Sequence, residues 1–333
     1  MSGGREASRL ATATVFSSLA EIPSGFGPAV AAIGNFDGVH LGHQEILSGV
    51  VREARSTGAR ALAITFDPHP EQVLRPARAP KLLTPLAERL RLLSQTGVDS
   101  ILVLPFDARL AALTPDEFVR QILVEKLRVR SVHEGRNFRF GHGAAAGVKE
   151  LAAMGAMSGF GVEVHSPVQV RGMEVSSSAI RALLTEGDVR RARWMLGRPF
   201  SVLSTPARGR GIGTRLLVPT VNLAAYGSLL PAFGVYTTRL RVSGDTFQSV
   251  TNVGNRPTVG EASFAVESHI LDFKPIALDD QTPLELEFLM RLRAELKWPS
   301  PEALKAQILK DVAKAKRCFR LAGRLIDSGS GLH

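Results

Sequence analysis

Ala29-Val30-Ala31-Ala32-Ile33-Gly34-Asn35-Phe36-Asp37-Gly38-Val39-His40-Leu41-Gly42-His43-Gln44 decides how the first half of this 333-residue chain folds. Five apolar residues in succession suit a strand covered on both faces of a parallel sheet. Ile46, Leu47, Val50 and Val51 follow at helical spacing. A strand, a glycine turn and a helix start, in that order, set backbone N–H groups and the positive helix end against an anion. Gly34 and Gly38 let the backbone approach a phosphate, and Gly42 leaves room for a base or ribose at the helix start. His40 and His43, three apart, share a face of the first helical turn. Two imidazoles there can donate hydrogen bonds to charge growing on a phosphoryl group.

Outward from this stretch, strands and helices alternate. Ala61 to Phe66 reads as a second strand, stopped by Asp67-Pro68-His69-Pro70, which could be no more than a rigid turn. Thr84-Pro85 opens a helix carrying Leu86, Leu90 and Leu93, closed by Gly97. Ser100 to Leu104 is a third strand, and Thr114-Pro115 with Glu117 forms a capping box for the next helix. The alternation predicts an α/β, doubly wound, Rossmann-like parallel sheet with helices on both faces.

Near Ser176 the pattern changes. Ser176-Ser177-Ser178 lead into a helix with Ile180, Leu183 and Leu184, ended by Gly187. A second helix runs from Asp188 to Leu196 and stops at Gly197. Then come β-rich runs at Gly234–Leu240, Phe247–Val253, Phe264–Leu271 and Leu284–Met290, the composition of a small antiparallel β-barrel. A final amphipathic helix starts at Ser300-Pro301 with Leu304, Ile308, Val312 and Phe319 on one face, and a frayed tail is expected from Asp327. The expected domains are 14–186 and 198–321.

Composition narrows the function classes. Hydrophobic residues are 44% and charged residues 22% of the chain, as in an ordinary soluble protein. The single cysteine, Cys318, excludes an internal disulfide framework and a Cys-based zinc site. No apolar run reaches the roughly 20 residues that span a bilayer, and no signal-peptide core follows Arg5 and Arg9, so no membrane partner and a cytoplasmic setting are expected. The net charge of +10 fits nucleic acid, a membrane surface, phosphorylated small substrates or a solvated basic surface with no partner. With only 6% aromatics and no basic run interleaved with them, no nucleic-acid partner is expected. Nothing in the sequence fixes an oligomeric state.

A second candidate site lies in the β-rich half. Arg208-Gly209-Arg210-Gly211-Ile212-Gly213 is a flexible basic loop. It precedes Val218-Pro219-Thr220-Val221-Asn222-Leu223, where Thr220 and Asn222 share one face if the segment is extended. A hydroxyl and an amide oxygen are hard ligands suited to Mg²⁺, although a polar turn at a strand edge would look the same. The chain contains no Gly-x-x-x-x-Gly-Lys-Ser/Thr motif, which excludes a phosphate-loop kinase mechanism.

Gly34 to Gln44 resembles the nucleotidyltransferase motif of bacterial bifunctional riboflavin kinase/FAD synthetases. Asp67-Pro68-His69-Pro70, Asn137-Phe138-Arg139-Phe140-Gly141 and Ser176-Ser177-Ser178-Ala179-Ile180-Arg181 match that family's later landmarks in order. Gly234-Val235-Tyr236, Asn252 to Thr258, Val266 to Phe273, and Arg293, Glu295, Lys297 and Trp298 resemble its riboflavin kinase module. The similarity runs from about Thr14 to Leu321.

The resemblance implies ATP, riboflavin and FMN as substrates, with phosphorylation of riboflavin and adenylylation of FMN to FAD. It implies that His40 and His43 meet the ATP phosphates and that Gly34, Asn35, Phe36 and Gly38 form the phosphate turn. Ser177, Ser178 and Arg181 would hold the triphosphate, although a serine before a helix is often only a cap. Asn137 and Phe138 would contact nucleotide or flavin, and Arg293 the flavin. In the kinase module it implies Glu267 as general base, Thr220 and Asn222 as Mg²⁺ ligands, and Gly209 and Gly213 against the nucleotide. A glutamate in that apolar strand would be costly to bury without a purpose. Three positions depart from the family pattern: Thr214 replaces an arginine, and Leu217 and Val218 replace Gly-Phe. The segment from Lys274 to Thr282 also lacks the family's Leu-Tyr-Gly turn. The metal and base positions survive, so an active but weakened kinase is expected; the alternative is an FMN adenylyltransferase whose kinase module has decayed into a flavin-binding or scaffolding domain. A single-domain adenylyltransferase acting on phosphopantetheine shares the histidine motif but not the β-rich half.

Overall fold

The computed structural model describes residues 13–207, 220–224, 226–256, 263–272 and 278–329. The chain divides into two compact units, Met1–Ser177 and Ser178–His333.

The first unit is built on six strands: β1 (Thr14–Phe16), β2 (Ala29–Ile33), β3 (Arg60–Asp67), β4 (Ser100–Pro105), β5 (Val129–Gly135) and β6 (Gly161–His165). They form one sheet in the order β1-β4-β3-β2-β5-β6, every neighbouring pair parallel. Alternate residues of the central strands feed two cores. Val30, Ala32, Ala63 and Ile101 pack with Leu47 and Val50 of α1 (Leu41–Thr57) on one face. Ala31, Ile33, Leu62 and Leu102 pack with Ile122, Leu123 and Leu151 on the other. Both faces are covered, so β2 has no polar position. Each Leu or Ile so buried contributes about 1.5–3 kcal/mol.

The boundaries follow local chemistry. Gly58 ends α1 in the left-handed region at φ 68°. The Thr114 capping box forms as expected, with Glu117 N donating to Thr114 Oγ1 at 3.2 Å and Thr114 N donating to Glu117 at 2.8 Å. The turn it starts continues as a π-helical segment, Phe118–Lys126. Helix α2 (Leu86–Ser94) starts at Pro85 without a side-chain cap, because Thr84 is engaged elsewhere. Helix α3 (Val148–Ser158) completes the unit.

In the second unit α4 (Ser177–Glu186) begins at the boundary. It is followed by α5 (Val189–Leu196), which Asp188 caps through Arg191 N at 2.9 Å and Gly197 ends. Six strands follow: β7 (Phe200–Ser204), β8 (Thr220–Asn222), β9 (Gly234–Val242), β10 (Asp245–Arg256), β11 (Ser263–Ile270) and β12 (Leu284–Ala294). They run in the order β7-β12-β9-β10-β11-β8, all antiparallel. A bridge between Pro206 and Leu223, with Ala207 N donating to Asn222 O at 2.8 Å, brings the two sheet edges together and curls the sheet into a small barrel.

Inside it, Tyr236 meets Phe288 edge to face and Phe200 lies tilted against Phe288, and Thr238 bonds Ser249 at 2.8 Å and Thr251 at 2.7 Å. Helix α6 (Pro301–Gly329) lays Val312, Ala315 and Phe319 on Val235, Val250 and Leu292 outside the barrel. The frayed tail expected from Asp327 is instead helical as far as Gly329, and the rest lies outside the described residues. No described helix is long and apolar enough to cross a membrane.

Two candidate active sites

The first site forms where β2 ends. The glycine turn adopts strained geometry, with Phe36 at φ 47°, Gly38 at 85° and Val39 at 39°. Non-glycine residues hold left-handed angles only when their surroundings over-determine them. Asp37, 1% exposed, accepts from Leu83 N and Thr84 N at 3.0 Å and from the Thr84 hydroxyl at 3.2 Å. Thr84 Oγ1 in turn accepts from Gly38 N at 3.0 Å. Ser177 donates to the Asp37 carbonyl at 2.9 Å. Arg89, 1% exposed, donates to the carbonyls of Asn35 at 2.9 Å and Phe66 at 3.0 Å and lies 3.6 Å from Asp67. Burial pulls the Arg89 pKa down, and Asp37 and Asp67 push it back up.

His40 and His43 meet as expected, stacked with ring centroids 3.6 Å apart and planes 17° from parallel. His40 Nδ1 accepts from His43 N at 3.3 Å and caps α1. Burial first, then the neighbouring His40, hold the His43 imidazole well below its ordinary pKa. His43 Nδ1 is buried and has no hydrogen-bond partner, leaving a donor or acceptor for a bound molecule.

Three positions gain detail. Gly42 faces the His40 ring, where an added Cβ would come within 3.2 Å, so its small size makes room for the histidine pair. The Phe36 ring is core, packed edge-on against His43, and only its backbone can meet a nucleotide. In Asp67-Pro68-His69-Pro70, the His69 ring accepts from Glu71 N at 3.2 Å and caps a short helix, while Asp67 faces Arg89.

Asn137 is exposed in the turn after β5, whereas Phe138 is partly buried and stacks on Phe140 at 5.5 Å. Ser178 and Arg181 belong to the second unit, on α4.

The second site forms on the outer face of the barrel. In the antiparallel register Asn222 lies opposite Glu267, and Thr220 opposite His269. Directly paired residues point to the same face with Cβ atoms about 4.5–5.5 Å apart. Thr220, Asn222 and Glu267 are thus one cluster, and Asn252 extends it from the other side of Glu267. Glu267 is exposed on an interior strand of the sheet, so burial cost gives no reason for its presence. Arg293 ends the same cross-strand row, roughly 14 Å from Glu267 at three strand spacings. It is ion-paired to Asp311 at 2.9 Å and lies 5.4 Å from the Trp298 ring centroid. Gly209, Gly213, Thr214, Leu217 and Val218 lie outside the described residues, as do Lys274 to Ile276. Among the described residues no group of three or more His, Cys, Asp or Glu side chains could hold a metal ion.

Sequence reading missed the roles of Thr84, Arg89 and Glu134, and carried Asn252 only as part of a kinase-module motif. Arg89 stands between Glu88 and Arg91 in its helix, and Glu134 beside His133 in a strand that also carries Arg130, so neither charge stood out. Thr84 reads as the opening of a helix, and only the fold brings it under the turn.

Models of two families match the chain: FAD synthetase over residues 23–179 and riboflavin kinase over residues 196–319. A bifunctional riboflavin kinase/FMN adenylyltransferase of Pseudomonas fluorescens is 37% identical over 288 residues, 86% of this chain and 92% of that protein. One from Escherichia coli K12 is 34% identical over 294 residues, covering 88% and 93%. The crystal structure of a macrolide-efflux protein from Streptococcus pneumoniae superposes with a TM-score of 0.82 at 24% identity, over 92% of this chain and 99% of that one, a likeness of fold. With both halves matched in one chain and the relatives aligned over nearly their whole length, this protein belongs to the bifunctional riboflavin kinase/FMN adenylyltransferase family.

Proposed function

We propose that this chain phosphorylates riboflavin to FMN and adenylylates FMN to FAD, using ATP in both steps and releasing pyrophosphate in the second. The observation that supports it most is the presence of both family matches in one chain, each with a polar cluster at its expected residues. The activities divide between 14–186 and 198–321.

In adenylyl transfer the FMN phosphate attacks the α-phosphorus of ATP and pyrophosphate leaves. The nucleophile is already ionised, so no covalent intermediate or strong base is needed. Catalysis is alignment and charge stabilisation, and alignment alone is worth about 7–11 kcal/mol at best. Gly34, Asn35, Gly38 and the Phe36 backbone receive the triphosphate. His40 and His43 donate to it, with His43 Nδ1 available. Burial and the adjacent His40 favour a neutral His43 imidazole in the free enzyme, and a bound triphosphate would then raise its proton affinity. Ser177 holds the turn through Asp37, while Ser178 and Arg181 follow the family pattern as triphosphate ligands. Asn137 and Phe138 contact nucleotide or flavin.

In the kinase half, Glu267 takes the proton from the terminal ribityl hydroxyl as that oxygen attacks the γ-phosphorus and ADP leaves. Thr220 and Asn222 supply two hard oxygens beside it, a donor set that fits Mg²⁺, which usually completes its shell with water and substrate phosphates. The ion would neutralise phosphate charge there. Gly209 and Gly213 approach the nucleotide, and Arg293, steadied by Asp311, faces the flavin.

Incubation of the pure chain with riboflavin, ATP and Mg²⁺ tests this reading. Accumulation of FAD is expected. FAD formed only from supplied FMN would leave a single activity and a decayed kinase module, and no FAD from either would overturn the whole reading.

A further inference from the structure

The parallel sheet of the first unit reverses its winding between β2 and β5. From β2 the chain moves outward to β3 and β4, then returns to place β5 on the other side of β2. In open α/β sheets ligands bind outside the carboxyl ends of the strands at such a reversal. Here the crevice rims are Gly34-Asn35 after β2 and Gly135-Arg136-Asn137 after β5.

The two strands part before they reach that crevice. On the β3 side, β2 stays paired as far as Ile33 with Ile64, and Gly34 N still donates to Ile64 O at 2.9 Å. On the β5 side the ladder ends at Ala31 with Val132. Beyond it the Ile33 N–H meets no strand carbonyl. The Glu134 carboxyl accepts it instead, Oε1 to N, at 2.7 Å. Glu134 is 4% exposed, and its own backbone remains in register with Val164 of β6. Its side chain thus spans the gap where the ladder would have continued. A carboxyl inside an apolar core is otherwise unfavourable, and burial pushes its pKa well above the usual carboxylate range.

We infer that Glu134 is a positioning residue for adenylyl transfer, bracing the parted ends of β2 and β5 so that the Gly34 turn and the Asn137 turn stand at the separation the two substrates require. The inference rests on the adenylyl-transfer reading above. A residue that only filled the core could be replaced by leucine without loss, since an apolar side chain suits that surrounding better. A brace needs an acceptor at this length.

Glu134→Gln keeps both the length and an acceptor oxygen. Glu134→Asp keeps the carboxyl but is one methylene short, and Glu134→Leu keeps the bulk and loses the acceptor. FAD formation from FMN and ATP, its KM values, the thermal midpoint, and riboflavin phosphorylation by the same preparation are measured for each. The expected result is E134Q within about threefold of the unmodified chain. E134L should lose about 10- to 100-fold in kcat/KM, the range set by one orphaned buried donor, with raised KM for FMN or ATP, a loss larger than the unfolded fraction at the assay temperature accounts for, and an unchanged kinase rate. E134D should fall between them. If E134L does not fold, the contrast between E134Q and E134D decides.

E134L within threefold of the unmodified chain would overturn the inference. So would E134Q as impaired as E134L, or a loss in proportion to unfolded protein with KM unchanged. If the unmodified chain makes no FAD from FMN, the functional reading fails, and that outcome is distinct from all of these.

Discussion

Replacing Asp37 by alanine should unfasten the phosphate turn. The carboxylate serves Leu83 N and Thr84 N at 3.0 Å and the Thr84 hydroxyl at 3.2 Å, all buried. The hydroxyl can turn elsewhere, but the two backbone N–H groups cannot. Each buried donor left unmet costs about 1–3 kcal/mol, so the pair costs roughly 2–6 kcal/mol, against a typical stability of about 5–15 kcal/mol. Asp37→Asn keeps one acceptor oxygen and should lose about half as much. Both variants should slow FAD formation from FMN by at least tenfold, because Gly38 and Val39 hold left-handed angles only while Thr84 and its partners hold them.

The assay pairs urea unfolding with product formation. Both tryptophans, Trp194 and Trp298, lie in the second unit, so their fluorescence follows that unit while circular dichroism also sees the first. Asp37→Ala should lower the urea midpoint of the first transition and leave the tryptophan transition and riboflavin phosphorylation unchanged. An unchanged first transition together with FAD formation within twofold would refute the assignment of Asp37 as the turn's anchor.

Other outcomes follow from the same geometry. Gly42→Ala should cost about tenfold in FAD formation, since the new Cβ presses the His40 ring at 3.2 Å; a rate within twofold would show that the stacked pair tolerates displacement. Arg89→Met removes the guanidinium donor from the Phe66 carbonyl and from the Asn35 carbonyl, which keeps the Thr65 hydroxyl at 3.2 Å, and should lower both the thermal midpoint and adenylyl transfer, with Arg89→Lys restoring only part; full activity in Arg89→Met would contradict this. His43 gives a pH signature in stability. Its folded pKa lies below the ordinary 6.5, so above that value neither state binds its proton, and as pH falls below it the unfolded chain takes the proton first. The free enzyme should therefore lose stability as pH drops from about 6.5 toward the folded pKa, and His43→Phe should lose less over that window; equal losses would remove His43 as the source.

Much of the fold was legible because local and global signals agree. The strand Ala29–Ile33 and the stop signals Gly97, Gly187 and Gly197 fall where apolar runs and left-handed glycines put them. β5 was not legible, because Arg130, His133 and Glu134 break its apolar pattern. His133 faces α1 through Glu53 at 2.7 Å, and Glu134 turns to Ile33. β7 and β8 were invisible as barrel strands because the Pro206–Leu223 bridge that joins the sheet edges links residues far apart in sequence. At the sites, the paired histidines and the Thr220, Asn222 and Glu267 cluster were readable from spacing and motif. Thr84 and Arg89 were not, since each reads as an ordinary part of a helix until tertiary packing brings it under the turn.

The central claim is that one chain carries two separable ATP-dependent sites, and crossed variants test it most directly. Given riboflavin, ATP and Mg²⁺, His43→Ala should accumulate FMN and make no FAD. Glu267→Gln should make nothing from riboflavin yet convert supplied FMN to FAD at the unmodified rate. Loss of both steps in either variant, in folded protein, would contradict the account.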